Sequence, residues 1–160
     1  MSLPRQPQLP PQGLFRPAVA SDADVLHRIY LQFPAALSPH ILHGRGWVDA
    51  IIEDGAQVML SSTTYVVIGL VAVWRDRPRT GAALTLFLHP DFHRNGRGRL
   101  MVERAIQMAR HAGFDTLRAY VYRSNEASYQ FFLRVLGPPD RLLRGQSWDA
   151  QYVFEREVSR

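Results

Sequence analysis

Cysteine and lysine are both missing from the 160 residues. Without cysteine there are no disulfides, no thiolate metal sites and no cysteine nucleophile, so any group transfer must use other chemistry. Without lysine, all 19 basic side chains are arginines, and against 14 acidic residues they leave a net charge of +5. Excess positive charge favours nucleic acid, phosphorylated ligands or acidic surfaces and selects none of them. Biased genomic composition accounts for all-arginine usage without invoking a function. No apolar run approaches the roughly 20 residues of a membrane-spanning helix. The opening MSLPRQPQLPPQG lacks the apolar core of a signal peptide, so a soluble, cytoplasmic protein is the expectation. Residues 1–13 hold four prolines and, apart from Leu3 and Leu9, almost no large apolar side chain. They read as a flexible tail ahead of one domain over 14–160.

What is present alternates between two hydrophobic periods. A short strand is expected at Leu14-Phe15-Arg16, then an N-cap within Ala20-Ser21-Asp22 and a helix with Val25, Leu26, Ile29 and Tyr30 on one side. Between Phe33 and Asp54, Pro34 and Pro39 interrupt, and Ile41, Leu42, Trp47, Val48, Ile51 and Ile52 suggest one or two short helices closed by Gly55. From Gln57 the runs VMLSS, TYVVIGLVAVWRD and ALTLFLHP are rich in branched and aromatic residues, as three antiparallel strands would be. Gly98 to Ala112 carries Met101, Ala105, Met108 and Ala112 on one helical stripe, stopped by Gly113. LRAYVY alternates as a strand, and Ser124-Asn125 caps a helix bearing Phe131, Phe132, Val135 and Leu136. Gly137-Pro138-Pro139 ends that helix, and the remaining chain reads as a closing hairpin whose last strand includes Tyr152, Phe154 and Glu155 to Val158. The order β-α-α-β-β-β-α-β-α-β-β is α+β, with helices covering a mixed sheet.

One loop stands out. FHRNGRGRLM, residues 92–101, follows the strand LTLFLHP and opens a helix. It reads equally as a tight basic surface turn, a nucleic-acid contact or a phosphate cradle. The first turn of a helix has N–H groups without partners and roughly half a positive charge, and Gly96 and Gly98 remove the Cβ atoms that would hold an anion away. Arg94, Arg97 and Arg99 add charge-assisted donors. A Walker A loop is excluded because there is no lysine, and a dinucleotide fingerprint because the third glycine position is Met101.

Strand, LHP, an aromatic and a polar residue, RNGRG opening a helix, a further strand, then SNEAS opening a second helix with FF inside it resemble the GNAT superfamily of acyl-CoA-dependent N-acyltransferases. The resemblance runs over most of residues 14–136, with LFRPAVASDADVLHRIY like the first strand and helix, and IGLVAVW and LTLFLHP like the third and fourth strands. It implies a mixed central sheet of about six to seven strands with helices on both faces, and acetyl-CoA as co-substrate without a metal. The family's loop begins with Gln or Arg where this chain has His93, followed by Arg94, Asn95, Gly96, Arg97 and Gly98. By resemblance the amides of residues 94–99, Arg99 included, hold the CoA pyrophosphate. The main chain at Leu86, Phe87 and Leu88 pairs with the pantetheine arm, and Asn125, Ser128 and Phe132 lie along it. Asn125 reads equally as a plain N-cap.

The implied reaction is acetyl transfer to a primary amine of a small molecule or peptide. Its general base is unassigned, because the family's strand-four glutamate has no counterpart in Gly81 to Leu88. His89, His40, His43, Glu53 and Asp54 are candidates, each with an ordinary surface or capping role as the alternative. Where relatives carry a tyrosine acid the chain has Phe132; Tyr129, three residues earlier, is the substitute, with core packing as its other reading. Two rival classes follow: a catalytically degenerate acyl-CoA sensor or scaffold, and a nucleic-acid-binding module, the latter disfavoured by scattered arginines. The family's habit of pairing subunits leaves a homodimer open.

Overall fold

The computed structural model describes residues 14–33, 42–76, 80–93, 96–144 and 150–159. The tail at 1–13, Pro34, Pro39, His40, Ile41, Arg94 and Asn95 lie outside them. Seven strands form one sheet: β1 Phe15–Pro17, β2 Gln57–Leu60, β3 Val67–Arg75, β4 Ala82–Leu88, β5 Thr116–Tyr122, β6 Arg141–Leu143 and β7 Gln151–Glu157. Four helices accompany them: α1 Ala23–Leu31, α2 Arg45–Glu53, α3 Arg97–His111 and α4 Glu126–Leu136. The element order is the one the hydrophobic periods give. Strands run β1-β2-β3-β4-β5-β7-β6, every neighbour antiparallel except β4 and β5. That one parallel contact makes the sheet mixed, and it exists because α3 carries the chain back to start β5 beside the start of β4.

Alternation along the strands builds two cores. Ala82, Leu84, Leu117, Ala119, Val121 and Phe154 meet Met101, Val102, Ala105 and Phe132 of α3 and α4 on one face. Val58, Leu70, Ala72 and Phe87 meet Leu26, Ile29, Tyr30 and Val48 of α1 and α2 on the other. Each of the valine, leucine, isoleucine, phenylalanine and methionine side chains among them contributes roughly 1.5–3 kcal/mol when taken out of water.

The ends of elements show where local chemistry overrode the periodic pattern. TYVVIGLVAVWRD starts its strand late, at Val67, because Tyr65 sits at φ 56° in a turn whose N–H donates to the Ser61 carbonyl at 2.9 Å. The register between β2 and β3 slips there, with Met59 opposite Gly69 and Leu60 opposite Val67. Asp22 does not cap α1 with its side chain. Its carboxylate folds back to accept the Val19 N–H at 2.8 Å and Arg16 at 2.7 Å, tying β1 to the 3-10 turn Ala20–Asp22. The Arg16 hydrogen bond holds this carboxyl below the usual carboxylate range, against the opposing effect of its burial.

Candidate active site

The site begins where β4 and β5 part. They pair at Ala82 with Leu117 and at Ala83 with Arg118, and no further. On its other side β4 stays zipped to β3 as far as Leu88, and beyond it the His89 N–H donates to the Ile68 carbonyl at 2.7 Å. Main-chain groups alternate sides along a strand. Thr85 and Phe87 therefore spend theirs on β3, whereas Leu86 and Leu88 direct theirs toward the side β5 has left. Of the three β4 residues read from sequence, Phe87 thus offers no main chain there; its ring lies in the α1 and α2 core. The Leu88 carbonyl is also engaged, accepting from the His93 ring at 2.8 Å. Free main chain at this edge comes down to Leu86 and the Leu88 N–H, among the described residues.

The same end of β4 leads through the short 3-10 turn Pro90–Phe92 into the amino terminus of α3. Gly96 stands at φ +76° with open space around it, a backbone that a residue with a Cβ adopts only under strain. The first bond of the helix runs from the Leu100 N–H to the Gly96 carbonyl at 3.2 Å, so the N–H groups of Arg97, Gly98 and Arg99 precede any intrahelical acceptor. The Arg97 guanidinium lies 5.1 Å from the centre of the Phe92 ring. Its Nη1 is buried without a hydrogen-bond partner among the described residues. An unpaired buried donor is costly, about 1–3 kcal/mol. These features fit a phosphate-bearing ligand. Arg99 is exposed, and His93 supplies a brace to β4 where the family pattern has Gln or Arg.

The second helix is less committed to a ligand. Asn125 Oδ1 accepts the Ser128 N–H at 3.2 Å, an N-cap geometry. Phe132 is 6% exposed and faces Phe131 and Phe154 at ring separations of 4.9 and 5.6 Å. Tyr129 packs on Tyr152 at 4.6 Å. His89 Nδ1 accepts the Asp91 N–H at 3.1 Å and so caps the Pro90–Phe92 turn. Glu53 and Asp54 are exposed at the end of α2. Among the described residues no group of three or more His, Asp or Glu side chains is placed to hold a metal, and no helix is long and apolar enough to cross a membrane.

Sequence reasoning missed the group at the root of the gap. Arg118, 7% exposed on β5, donates to Asp76 at 3.1 Å, to the Thr80 carbonyl, and to Glu155 at 3.4 Å, while the Tyr120 hydroxyl donates to Asp76. It ties the β3–β4 connection to β5 and β7 where β4 and β5 last touch. The signal was an arginine in mid-strand, between Leu117 and Ala119, where the alternating pattern alone says only that it leaves the apolar face.

A helix amino terminus beside a strand edge free of its neighbour suits an extended, phosphate-bearing ligand. The chain belongs to the Acetyltransferase (GNAT) family, whose model matches residues 24–137, and its class is that of the acyl-CoA-dependent N-acetyltransferases. No curated protein matches it by sequence. Similar solved structures include a phosphinothricin acetyltransferase from Sinorhizobium meliloti in complex with AcCoA, 18% identical, TM-score 0.74, covering 91% of this chain and 88% of that one. The N-acetyltransferase from Staphylococcus aureus Mu50 is 18% identical, TM-score 0.72, with 90% and 97% covered. The ribosomal-protein-alanine N-acetyltransferase from Brucella melitensis is 20% identical, TM-score 0.72, with 90% and 99% covered. At these identities the likeness carries the fold.

Proposed function

We propose that the protein transfers the acetyl group of acetyl-CoA directly to a primary amine of a small molecule or peptide. The observation that carries this reading is the free β4 edge beyond Ala83 beside the open amino terminus of α3. In it, the N–H groups of Arg97, Gly98 and Arg99, the Arg97 guanidinium, and Arg94 and Asn95 from outside the described residues hold the pyrophosphate. Leu86 and the Leu88 N–H hold the pantetheine arm as a neighbouring strand would, with Asn125 and Ser128 along its far side. Bound acetyl-CoA supplies an activated thioester, whose C–S bond breaks as the new C–N bond forms.

The residues then have two tasks. One is to polarise the carbonyl oxygen, for which the outward N–H groups of β4 are suited by their fixed orientation. The other is to take a proton from the amine. A lysine-like amine has a pKa of about 10.4, so exposing its lone pair at neutral pH costs about 4–5 kcal/mol. The thiolate leaves unaided, since a thiol of pKa about 8.5 is a tolerable leaving group, and Tyr129→Phe should therefore retain turnover. With no cysteine in the chain, the acyl group has no thiol to rest on and passes directly.

The acceptors named for the structural neighbours differ, phosphinothricin in one and a ribosomal-protein alanine in another. An assay of CoA thiol release from acetyl-CoA across free amino acids, phosphinothricin and alanine-ended peptides tests the reading. Turnover with any member supports it; saturable acetyl-CoA binding with no turnover on any member would make the protein a sensor or scaffold instead.

A further inference from the structure

Helical cover on the sheet is uneven. On the α3 and α4 face, side chains of β3, β4, β5 and β7 all join one core with the helices. On the opposite face the core takes residues of β2, β3 and β4 together with α1 and α2, and none of β5, β6 or β7 among the described residues. His43, read from sequence as a candidate base, packs into this cover, its ring stacked on Trp47 at 4.3 Å and its main-chain N–H donating to the Tyr30 hydroxyl at 2.9 Å.

The cover stops on β3 between Ala72 and Trp74. Both point to that face, yet Ala72 is 5% exposed and Trp74 42%. Trp74 begins a row that crosses the sheet through Ala83 of β4, Arg118 of β5 and Glu155 of β7, the last row in which β4 and β5 touch. Its indole does not stay in that row. Nε1–H donates to Thr85 Oγ1 at 3.1 Å, which draws the ring toward the next row on this face, the first from which β5 has withdrawn. Thr85 immediately precedes Leu86, whose main chain faces the gap.

The charged groups nearby are already matched. Asp76, two residues beyond Trp74, pairs with Arg118 at 3.1 Å and accepts the Tyr120 hydroxyl. Glu155 stands between Arg118 and Arg141, at 3.4 and 3.8 Å. Among the described residues, what this part of the face offers a ligand is the indole itself, held in one orientation by its own N–H. Such a ring rewards an aromatic or apolar group laid against it.

With the phosphates at the amino terminus of α3, beyond Leu88, the pantetheine arm runs back along β4 past Leu86 and carries the thioester toward the root of the gap. The α3 and α4 face is filled by core there, Leu84 and Phe132 included. The acceptor therefore arrives over the other face, beside Thr85 and Trp74. We propose that Trp74 selects the acceptor: the group borne by the reacting amine lies on its indole, and the substrates are primary amines with an aromatic or bulky apolar group. This rests on the acetyl-transfer reading.

The experiment uses the full chain and two unbranched primary amines, phenethylamine and ethanolamine, which differ in a phenyl against a hydroxyl group. Release of CoA thiol at saturating acetyl-CoA gives kcat/KM for each in wild type, Trp74→Phe and Trp74→Ala. Expected is a wild-type preference for phenethylamine of about tenfold or more, from stacking and apolar burial together. It should shrink in Trp74→Phe and nearly vanish in Trp74→Ala, the change falling mainly on KM for the amine. Acetyl-CoA should stabilise all three proteins thermally to the same extent, which separates loss of the indole from loss of the fold. With CoA and phenethylamine bound, proton NMR should show a nuclear Overhauser contact between the phenyl ring and the indole N–H signal that is missing from Trp74→Phe. A wild type that favours ethanolamine or accepts only other amines, a preference that survives Trp74→Ala, or no such Overhauser contact would overturn the role of Trp74 and leave acetyl transfer standing. A wild type that binds acetyl-CoA and turns over no amine would overturn the acetyl-transfer reading and the role of Trp74 with it.

Discussion

The ring of Phe131 stands where a methyl group on Gly98 would go, its Cε2 2.7 Å from the position of that Cβ. Gly98 therefore serves two partners: it bares an N–H at the start of α3 and lets α4 close over the helix. Gly96, two residues earlier, has open space around it but a left-handed backbone at φ +76°. The two glycines should fail differently. Gly96→Ala carries backbone strain of about 1–2 kcal/mol whatever its neighbours. Gly98→Ala overpacks and should cost about 1–3 kcal/mol, less in a Phe131→Leu background than in wild type. Urea unfolding of the singles and the double measures this; strict additivity of Gly98→Ala and Phe131→Leu would show that the ring does not hold the glycine in place.

Arg97 carries an Nη1 that is buried and unpaired among the described residues, with its guanidinium over Phe92. Removing the charge should separate binding from stability. Arg97→Met should weaken CoA binding about ten- to a hundredfold, the range of a lost hydrogen bond to a charged group at ~1.5–3 kcal/mol. The free protein should change by less than about 1 kcal/mol, since an orphan donor is removed along with one cation–π contact. Calorimetric titration with CoA, paired with a thermal melt of the free protein, gives both numbers. Unchanged CoA affinity would detach Arg97 from the phosphate site.

The order of the eleven elements was legible because α1, α3 and α4 carry a 3.6 period, β5 alternates, and β2 to β4 are runs of branched and aromatic residues between turn signals. The two-glycine loop was legible for a local reason too, a strand ending in LHP and a helix opening at the glycines a few residues on. Three things were not. The turn at Tyr65 depends on a φ of 56° that no tyrosine signals. The committed Leu88 carbonyl depends on His93 reaching back five residues. The cluster at Arg118 joins Asp76 and Glu155, 42 and 37 residues away in sequence. The last two are contacts that no sequence period signals, and the His43 ring against Tyr30 and Trp47 is of the same kind.

Asp76 and Arg118 form an ion pair of which both members are buried, at the last point where β4 and β5 touch. Asp76→Ala takes one charged partner from a buried Arg118 that keeps Glu155 at 3.4 Å and the Thr80 carbonyl, so it should destabilise by about 1.5–3 kcal/mol, the range of a lost hydrogen bond to a charged group. Tyr120→Phe removes one donor from the same carboxylate and should cost about 1 kcal/mol. Because the cluster fixes the root of the gap, Tyr120→Phe should also raise KM for acetyl-CoA with little change in kcat. Chemical unfolding and steady-state kinetics on the same preparations check the two effects, and a Tyr120→Phe enzyme that loses kcat at constant KM would place the hydroxyl in the chemistry rather than beneath it.

Two groups set the acid side of the stability curve, and their windows differ. Asp22 is held below the usual carboxylate range by Arg16. Its contribution is whole above the ordinary carboxyl pKa of about 3.9 and is lost as pH falls from there through the folded value. His43 is pushed below the ordinary histidine range by burial. The unfolded chain therefore takes up its proton first, and stability begins to fall as pH drops below about 6.5, the loss ending below the folded value. Urea midpoints followed from pH 8 to 3 should thus decline in two stages. His43→Gln should flatten the upper stage and leave the lower, and Asp22→Asn should do the reverse at a lower plateau, because the link between β1 and the turn before α1 is weakened throughout. A single decline that neither substitution reshapes would mean that other carboxylates govern acid unfolding and that the Arg16–Asp22 pair contributes little to the native state.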